Sequence, residues 1–192
     1  MPIDADPRPR RSMLRNVDAR LDRAERNLQG GKGAPRQVDL CRSASDAYYA
    51  LFHYVADKVA REMLGTAEDA QRRVARNTVV RSLSHSGLRA AMRKFSSGPL
   101  TGKLFTEVQD QGISLPAVPE EARRLASTFE LAIGSRYAAD YDWNRKFDKA
   151  EVLELIHRVR TAIDDFEVVP ANDLGRRWFL AYLATHRGLK AR

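Results

Sequence analysis

Cysteine is nearly absent from this chain, and its scarcity excludes two kinds of structure. The 192 residues contain one cysteine, Cys41. A disulfide within the chain therefore cannot form, and a zinc site built on several cysteines is excluded. A lone thiol fits the reducing conditions of the cytoplasm, so we expect a cytoplasmic protein.

Long apolar runs are also missing. No stretch approaches the roughly 18 apolar residues of a transmembrane helix, so we expect no membrane association. The N-terminal "MPIDADPRPRRS" is basic, but no apolar stretch follows it as in a secretory signal. We expect residues 1–12 to form a disordered basic tail.

Acidic residues are missing from one long window. The chain has a formal net charge of +8, and no Asp or Glu falls between Arg72 and Lys103. Phosphate is the natural counterpart of such a stretch, which predicts nucleic-acid binding. A basic helix whose acidic neighbours come from elsewhere in the fold would show the same pattern. The nucleic-acid-binding candidates are Arg72, Arg73, Arg76, Arg81, Arg89, Arg93 and Lys94, with Lys103 at the end of the window.

Strand signals are few, and helical periodicity dominates. The pattern predicts an all-α bundle of five or six helices over residues 13–168, followed by a C-terminal helix in 169–192 that packs on the bundle or on a partner. The predicted helices cover 13–28, 37–64, a segment from about 66 to Lys94 that weakens at "SHSG" (84–87), 119–139, 148–168 and a last one capped by Asp173. Residues 96–118 are predicted to be a long loop.

Local signals mark several helix ends. Gly65 is expected to stop the second helix, and Thr66 with Asp69 resembles a capping box for the third. Asp148 is expected to cap the fifth helix. The middle of the second helix, "DAYYALFHYVADKV", is apolar nearly all round, which predicts a central buried helix.

Two stretches resemble the HEPN (higher eukaryotes and prokaryotes nucleotide-binding) family, and a third adds to them. In "CRSASDAYYALFHYVADKV" (41–59), small residues precede Tyr-Tyr-Ala and then Phe-His. The segments "RYAADYD" (136–142) and "FDKAEVLELI" (147–156) resemble the end of a HEPN domain, and "VVRSLSHSGLRAAM" (79–92) resembles a bacterial subgroup.

The resemblance implies a helical bundle that often forms a homodimer. Many HEPN proteins are ribonucleases that need no metal or other cofactor, in toxin–antitoxin and phage-defence systems, paired with a nucleotidyltransferase-type antitoxin. Their motif is an arginine, four to six residues, then a histidine. The histidine moves a proton, and the arginine stabilises charge on the phosphorane.

This chain departs from that motif. No histidine follows Arg136 until His157, and position 140 is Asp, which is ionised at neutral pH because its reference pKa is about 3.9. Arg136 and Asp140 can form a structural i, i+4 pair at a helix end. The alternative is that Arg136, Asp140 and Tyr141 contact a nucleotide.

A second candidate is catalytic. Arg81 and His85 are four residues apart on one predicted helix, so both side chains would share a face within the basic window. The competing interpretation is that His85 lies near a helix C-terminus, where a cation is favoured. His53 is expected to be a core histidine bonded to a carbonyl rather than part of a site.

The sequence thus predicts an RNA- or nucleotide-binding HEPN-like protein, a component of a toxin–antitoxin or defence-type system, without the usual ribonuclease motif. Two alternatives remain open. One is a divergent metal-independent ribonuclease that uses Arg81 and His85. The other is a protein–protein interaction module with a basic face. No cofactor or metal is expected.

Overall fold

The computed structural model describes residues 8–29, 34–96, 110, 112 and 114–185, with side chains in the first helix from Leu14 onward. Within these residues the chain is all-helical, as predicted. The helices are α1 (Arg8–Gln29), α2 (Gln37–Leu64), α3 (Ala70–Ser82), α4 (His85–Ser96), α5 (Glu120–Tyr141), α6 (Lys149–Val168) and α7 (Leu174–Thr185). The helix α1 begins inside the segment expected to be a tail, and the predicted loop 96–118 lies largely outside the described residues.

The predicted number of helices was wrong. The described residues form seven helices, because the basic segment is divided between α3 and α4. The backbone of Leu83 is extended, and the Ser84 hydroxyl oxygen accepts a hydrogen bond of 3.0 Å from the amide of Gly87. Serine competes well for this capping position, so a new helix starts at His85 instead of the old one continuing.

The other helix ends mostly follow local signals. Asp148 accepts a 2.7 Å hydrogen bond from the amide of Glu151, and Asp173 accepts one of the same length from that of Arg176, as their sequence positions predicted. Gly65 ends α2 with a φ of 77°, a left-handed conformation that glycine adopts without strain. The cap of α3 is Asp69 itself, and the expected role of Thr66 as the capping residue was wrong.

The central position of α2 is confirmed. It packs against α1, α3, α5, α6 and α7, and its rings of Tyr48 and Tyr54 are fully buried. One narrow face nevertheless remains uncovered. This open face of α2 consists of Arg42, Ser45, Tyr49 and His53, spaced three or four residues apart and exposed or half-buried.

Among the described residues, none of the helices combines the length and apolarity needed to cross a bilayer.

Candidate functional site

Three helices bring a histidine, two tyrosines and an arginine together beside the open face of α2. His85 is the first residue of α4, and its ring lies on Phe52 of α2 with 4.1 Å between ring centroids. Its other neighbours are Tyr49, at 5.9 Å edge-on, and the hydroxyl of Tyr48, which is 2.5 Å from Nδ1. We call Tyr48, Tyr49, His85 and Arg136 the His85 cluster.

The contact with Tyr48 determines where neutral His85 carries its proton. Burial raises the pKa of Tyr48 above its ordinary value, so the phenol keeps its proton. Among the described residues Nδ1 is the acceptor within hydrogen-bond distance of this hydroxyl, so the phenol donates to Nδ1. A neutral imidazole that accepts at Nδ1 carries its hydrogen on Nε2. Neutral His85 therefore offers a donor at Nε2, not a base.

The charge state of His85 follows from its surroundings. Burial lowers the pKa of His85 below its ordinary value, and the positive Arg136 lowers it further. The expectation that His85 lies near a helix C-terminus was wrong. It lies at a helix N-terminus, where the backbone dipole also disfavours a cation.

Arg136 on α5 is held from several sides. Its Nε is 2.6 Å from Oδ2 of Asp140, so the predicted i, i+4 pair is confirmed. Ser45 of α2 donates a 2.9 Å hydrogen bond to the other oxygen of Asp140. The guanidinium also lies 5.3–5.9 Å from three tyrosine ring centroids, in cation–π geometry. These rings belong to Tyr49, Tyr137 and Tyr141.

His53 is not a core histidine, and that expectation was wrong. Its side chain is exposed on the open face of α2, and its ring stacks beside that of Tyr49 at 6.4 Å. Partial desolvation lowers the pKa of His53, and the positive charge of Arg20 lowers it further, as would a proton on His85. Neutral imidazole is therefore its main form at neutral pH.

A groove of about 530 Å³ begins at His53 and runs between α1 and α3. Asn16, Arg20 and Arg23 line the α1 side at helical spacing, and Asn77 lies on the α3 side. The amides can donate and accept hydrogen bonds, and the guanidinium groups only donate them.

The groove has a positive balance of charge. Its acidic lining residue Asp57 is 2.6 Å from Arg61, and Arg23 is 2.5 Å from Asp46. In each pair the arginine neutralises the carboxylate. Arg20 has no acidic partner among the described residues, so its charge remains. Arg73 and Arg81 extend the positive charge, because they lie four residues before and after Asn77 on α3 and are exposed.

One member of the basic window is structural. Arg76 is 4% exposed, and its guanidinium donates to the carbonyls of Gly65 and Ala67 at 3.0 and 2.7 Å. It also donates to Glu68 at 3.1 Å. A buried guanidinium with three partners cannot reach a phosphate in this conformation, so its prediction as a nucleic-acid contact does not fit the structure.

Three other members of the window lie beside acidic residues outside it. Arg89 and Arg93 lie 3.5 and 2.8 Å from the carboxylate of Glu130 on α5, and Arg72 lies 3.6 Å from Asp69. Lys94 is half-buried, and Lys103 lies outside the described residues. Of the seven candidates, Arg73 and Arg81 are the two that are exposed beside the groove.

The premise behind the Arg81–His85 pair was wrong, because a helix break separates the two residues. The arginine whose charge lowers the pKa of His85 is Arg136, on a different helix. The catalytic role of Arg81 and His85 stays a prediction, as does nucleotide contact by Arg136, Asp140 and Tyr141.

No group of three or more His, Cys, Asp or Glu side chains in the described part of the chain is arranged to hold a metal ion. No family model matches this chain, and no match was found among curated proteins or solved structures.

Proposed function

We propose that the protein binds single-stranded RNA along the open face of α2 and in the groove beside it. The observation that carries the proposal is the groove itself, which arginines of α1 line beside an exposed histidine while the acidic lining residue is already paired. Exposed arginines of α3 lie one helical turn before and after the lining residue Asn77. Phosphates would meet the guanidinium groups of Arg20, Arg73 and Arg81.

The chemistry of this surface favours unpaired RNA over an acidic protein. Unpaired bases stack on aromatic rings and form hydrogen bonds with amides, and Tyr49, Asn16 and Asn77 provide both kinds of contact. The stretch from Ser45 to Asp57 spans about 18 Å at 1.5 Å per residue, enough for a short strand. A surface that binds an acidic protein would need the arginine charges, but it would not need the tyrosine ring and the asparagine amides.

The resemblance to HEPN proteins is consistent with this proposal and extends it. A toxin–antitoxin or defence-type role, a homodimer and a nucleotidyltransferase-type antitoxin partner are further parts of the proposal. Sedimentation at micromolar concentration tests the dimer, since a single 21.7 kDa species would contradict it.

The test of RNA binding is a titration of fluorescently labelled RNA followed by anisotropy. Single-stranded RNA is expected to bind, with log affinity falling linearly as log salt rises, because each neutralised phosphate releases counterions. A duplex of the same sequence is expected to bind more weakly, since its bases are not free to stack. Absence of binding at low salt would refute the proposal and favour the protein-partner alternative.

RNA cleavage without a metal is a second candidate, favoured by two neutral imidazoles on either side of Tyr49, of which His85 also lies near Arg136. Neutral His53 would take the proton of a ribose 2′-OH, and the 2′-oxygen would attack phosphorus. Nε2–H of His85 and the guanidinium of Arg136 would stabilise the phosphorane. The 5′-oxygen would then leave and take a proton from water, giving a 2′,3′-cyclic phosphate and a 5′-hydroxyl.

Cleavage assays with EDTA present distinguish a catalytic role of Arg136 from one of Arg81. If His53 and Arg136 take part in cleavage, His53→Asn and Arg136→Ala should abolish it. If the pair predicted from the sequence, Arg81 and His85, is catalytic, Arg81→Ala should abolish it. Cleavage that all three variants retain would exclude both assignments.

A further inference from the structure

The turn between α5 and α6 presents a tryptophan to solvent. The side chain of Trp143 is 96% exposed. The backbone around it is fixed, because Oδ1 of Asp142 accepts a 3.0 Å hydrogen bond from the amide of Asn144. The carbonyl of Asp142 accepts a second one, of 3.1 Å, from the amide of Arg145. The indole is thus displayed by an ordered turn.

The same turn is anchored to the start of α2. Phe147 is 4% exposed, and its backbone amide and carbonyl both bond to the side-chain amide of Gln37, at 3.0 and 2.7 Å. The guanidinium of Arg145 lies over the Phe147 ring at 4.9 Å. The position of Trp143 is therefore set relative to α2, at the end opposite the groove.

Trp143 continues the surface that carries the His85 cluster. Asp140 bonds to Ser45 on the open face of α2, and Tyr141 lies in cation–π contact with Arg136. From Gln37 to Asp57, α2 covers about 30 Å at 1.5 Å per residue.

Two exposed cations lie at the Trp143 end of this path. Arg42 on the open face of α2 and Lys146 in the turn are exposed. Of the carboxylates in and beside the turn, Asp140 pairs with Arg136 and Glu151 pairs with Arg145. Asp142 and Asp148 each accept a hydrogen bond from a backbone amide and keep their charge. A strand that leaves the groove would thus meet cations before it reaches the indole.

We propose that Trp143 is a stacking platform for an unpaired base of the RNA strand whose other end occupies the groove. The inference rests on the proposed RNA-binding function. An indole provides a large flat surface on which any base can stack, so the contact would add affinity without sequence preference.

The test uses the fluorescence of the tryptophan itself. The chain has two tryptophans, and the second, Trp178, is half-buried against Phe95 and Tyr182 at 5.5 Å from each ring. In Trp178→Phe the emission comes from Trp143 alone, and a mixed-sequence single-stranded RNA is expected to quench it. In Trp143→Phe the remaining emission is expected not to respond.

Affinity provides the second readout. Trp143→Leu is expected to weaken binding of a long single strand by about tenfold, within the usual range for loss of one stacked base. Trp143→Tyr is expected to retain most of the affinity. An oligonucleotide too short to reach from the groove to the turn should bind both variants and the wild type equally.

The outcomes separate this inference from the proposed function. If anisotropy shows RNA binding but Trp143 is not quenched and Trp143→Leu binds normally, the stacking proposal is wrong and RNA binding stands. If no RNA binds, both fail. If Trp143→Leu converts a dimer to a monomer without changing RNA affinity, Trp143 is a subunit contact and the stacking proposal is again wrong.

Discussion

The hydroxyl of Tyr48 lies 2.5 Å from Nδ1 of His85, so a buried phenol on α2 fixes the tautomer of an imidazole on α4. The residues are 37 positions apart in the chain. Because the phenol stays protonated, the contact favours neutral His85 with its hydrogen on Nε2.

Removal of this hydroxyl should change the tautomer and the pKa of His85 while the fold is retained. In Tyr48→Phe, Nδ1 loses its donor, so we expect a mixture of tautomers and a rise in the pKa of His85, with a loss of about 1 kcal/mol in stability. Imidazole ¹⁵N chemical shifts across a pH series measure both effects. Tyr182→Phe, in the aromatic group around Phe95, is the control. Unchanged His85 shifts in Tyr48→Phe would show that the hydrogen bond is not formed.

Arg136→Ala should be more costly than a surface arginine substitution. It leaves Asp140 with Ser45 alone and removes the cation–π contacts, for which we expect a loss of about 1–3 kcal/mol. Arg158→Ala is the matched control, because Arg158 also pairs with a carboxylate four residues away, Glu154 at 2.6 Å, but both side chains are more than half exposed. That pair should contribute little, because solvent screens an exposed ion pair. Equal urea midpoints for the two variants would contradict the role assigned to Arg136.

Two arginines three residues apart on α3 should have opposite phenotypes. Arg76→Ala leaves two carbonyls and one oxygen of Glu68 without their donor, and we expect it to lose about 2–3 kcal/mol of stability. Arg73→Ala should keep its stability and weaken RNA binding. Urea denaturation and RNA titration of both variants provide the comparison. A stable Arg76→Ala with weakened RNA binding would reverse the assignment.

Stability should fall in mildly acidic solution because of the two histidines. The folded-state pKa values of His53 and His85 are lowered, so the unfolded chain, with a histidine pKa of about 6.5, binds more protons as pH falls. The free energy of unfolding should therefore decrease below about pH 6.5 and stop responding to these groups below their folded pKa values. Urea unfolding between pH 5 and 8 measures the slope. The double variant His53→Asn, His85→Asn should have a flatter profile, and an identical slope would count against the lowered values.

The sequence indicated helix ends well because those signals are local. Gly65, Asp148 and Asp173 each act on the backbone within a few residues, and α2 and α6 have the predicted boundaries. The segment "SHSG" also marked the break at Ser84, but the apolar periodicity that continues beyond it predicted a single helix.

The candidate site depends on contacts between helices, and the periodicity of a single helix does not report such contacts. Arg136 and His85 approach because α4 packs on α5 and α5 packs on α2, which no spacing within one helix reports. His53 was misplaced because an almost uniformly apolar helix conceals one narrow open face. The helical spacing of Asn16, Arg20 and Arg23 was visible, but their role depends on where α3 lies relative to α1.

The most direct test of the account compares two triple variants that remove the same charge. One replaces the groove arginines by alanine (Arg20→Ala, Arg73→Ala, Arg81→Ala). The other replaces arginines on α5, α6 and α7 that are about half exposed or more and form ion pairs (Arg124→Ala, Arg158→Ala, Arg177→Ala).

The measurement is the affinity for single-stranded RNA as a function of salt. If three phosphates meet the groove arginines, the slope of log affinity against log salt should fall by about 2 in the first variant, because each contact with a single strand contributes about 0.7. The second variant should keep the wild-type slope. Equal slopes and affinities in the two variants would contradict RNA binding in the groove.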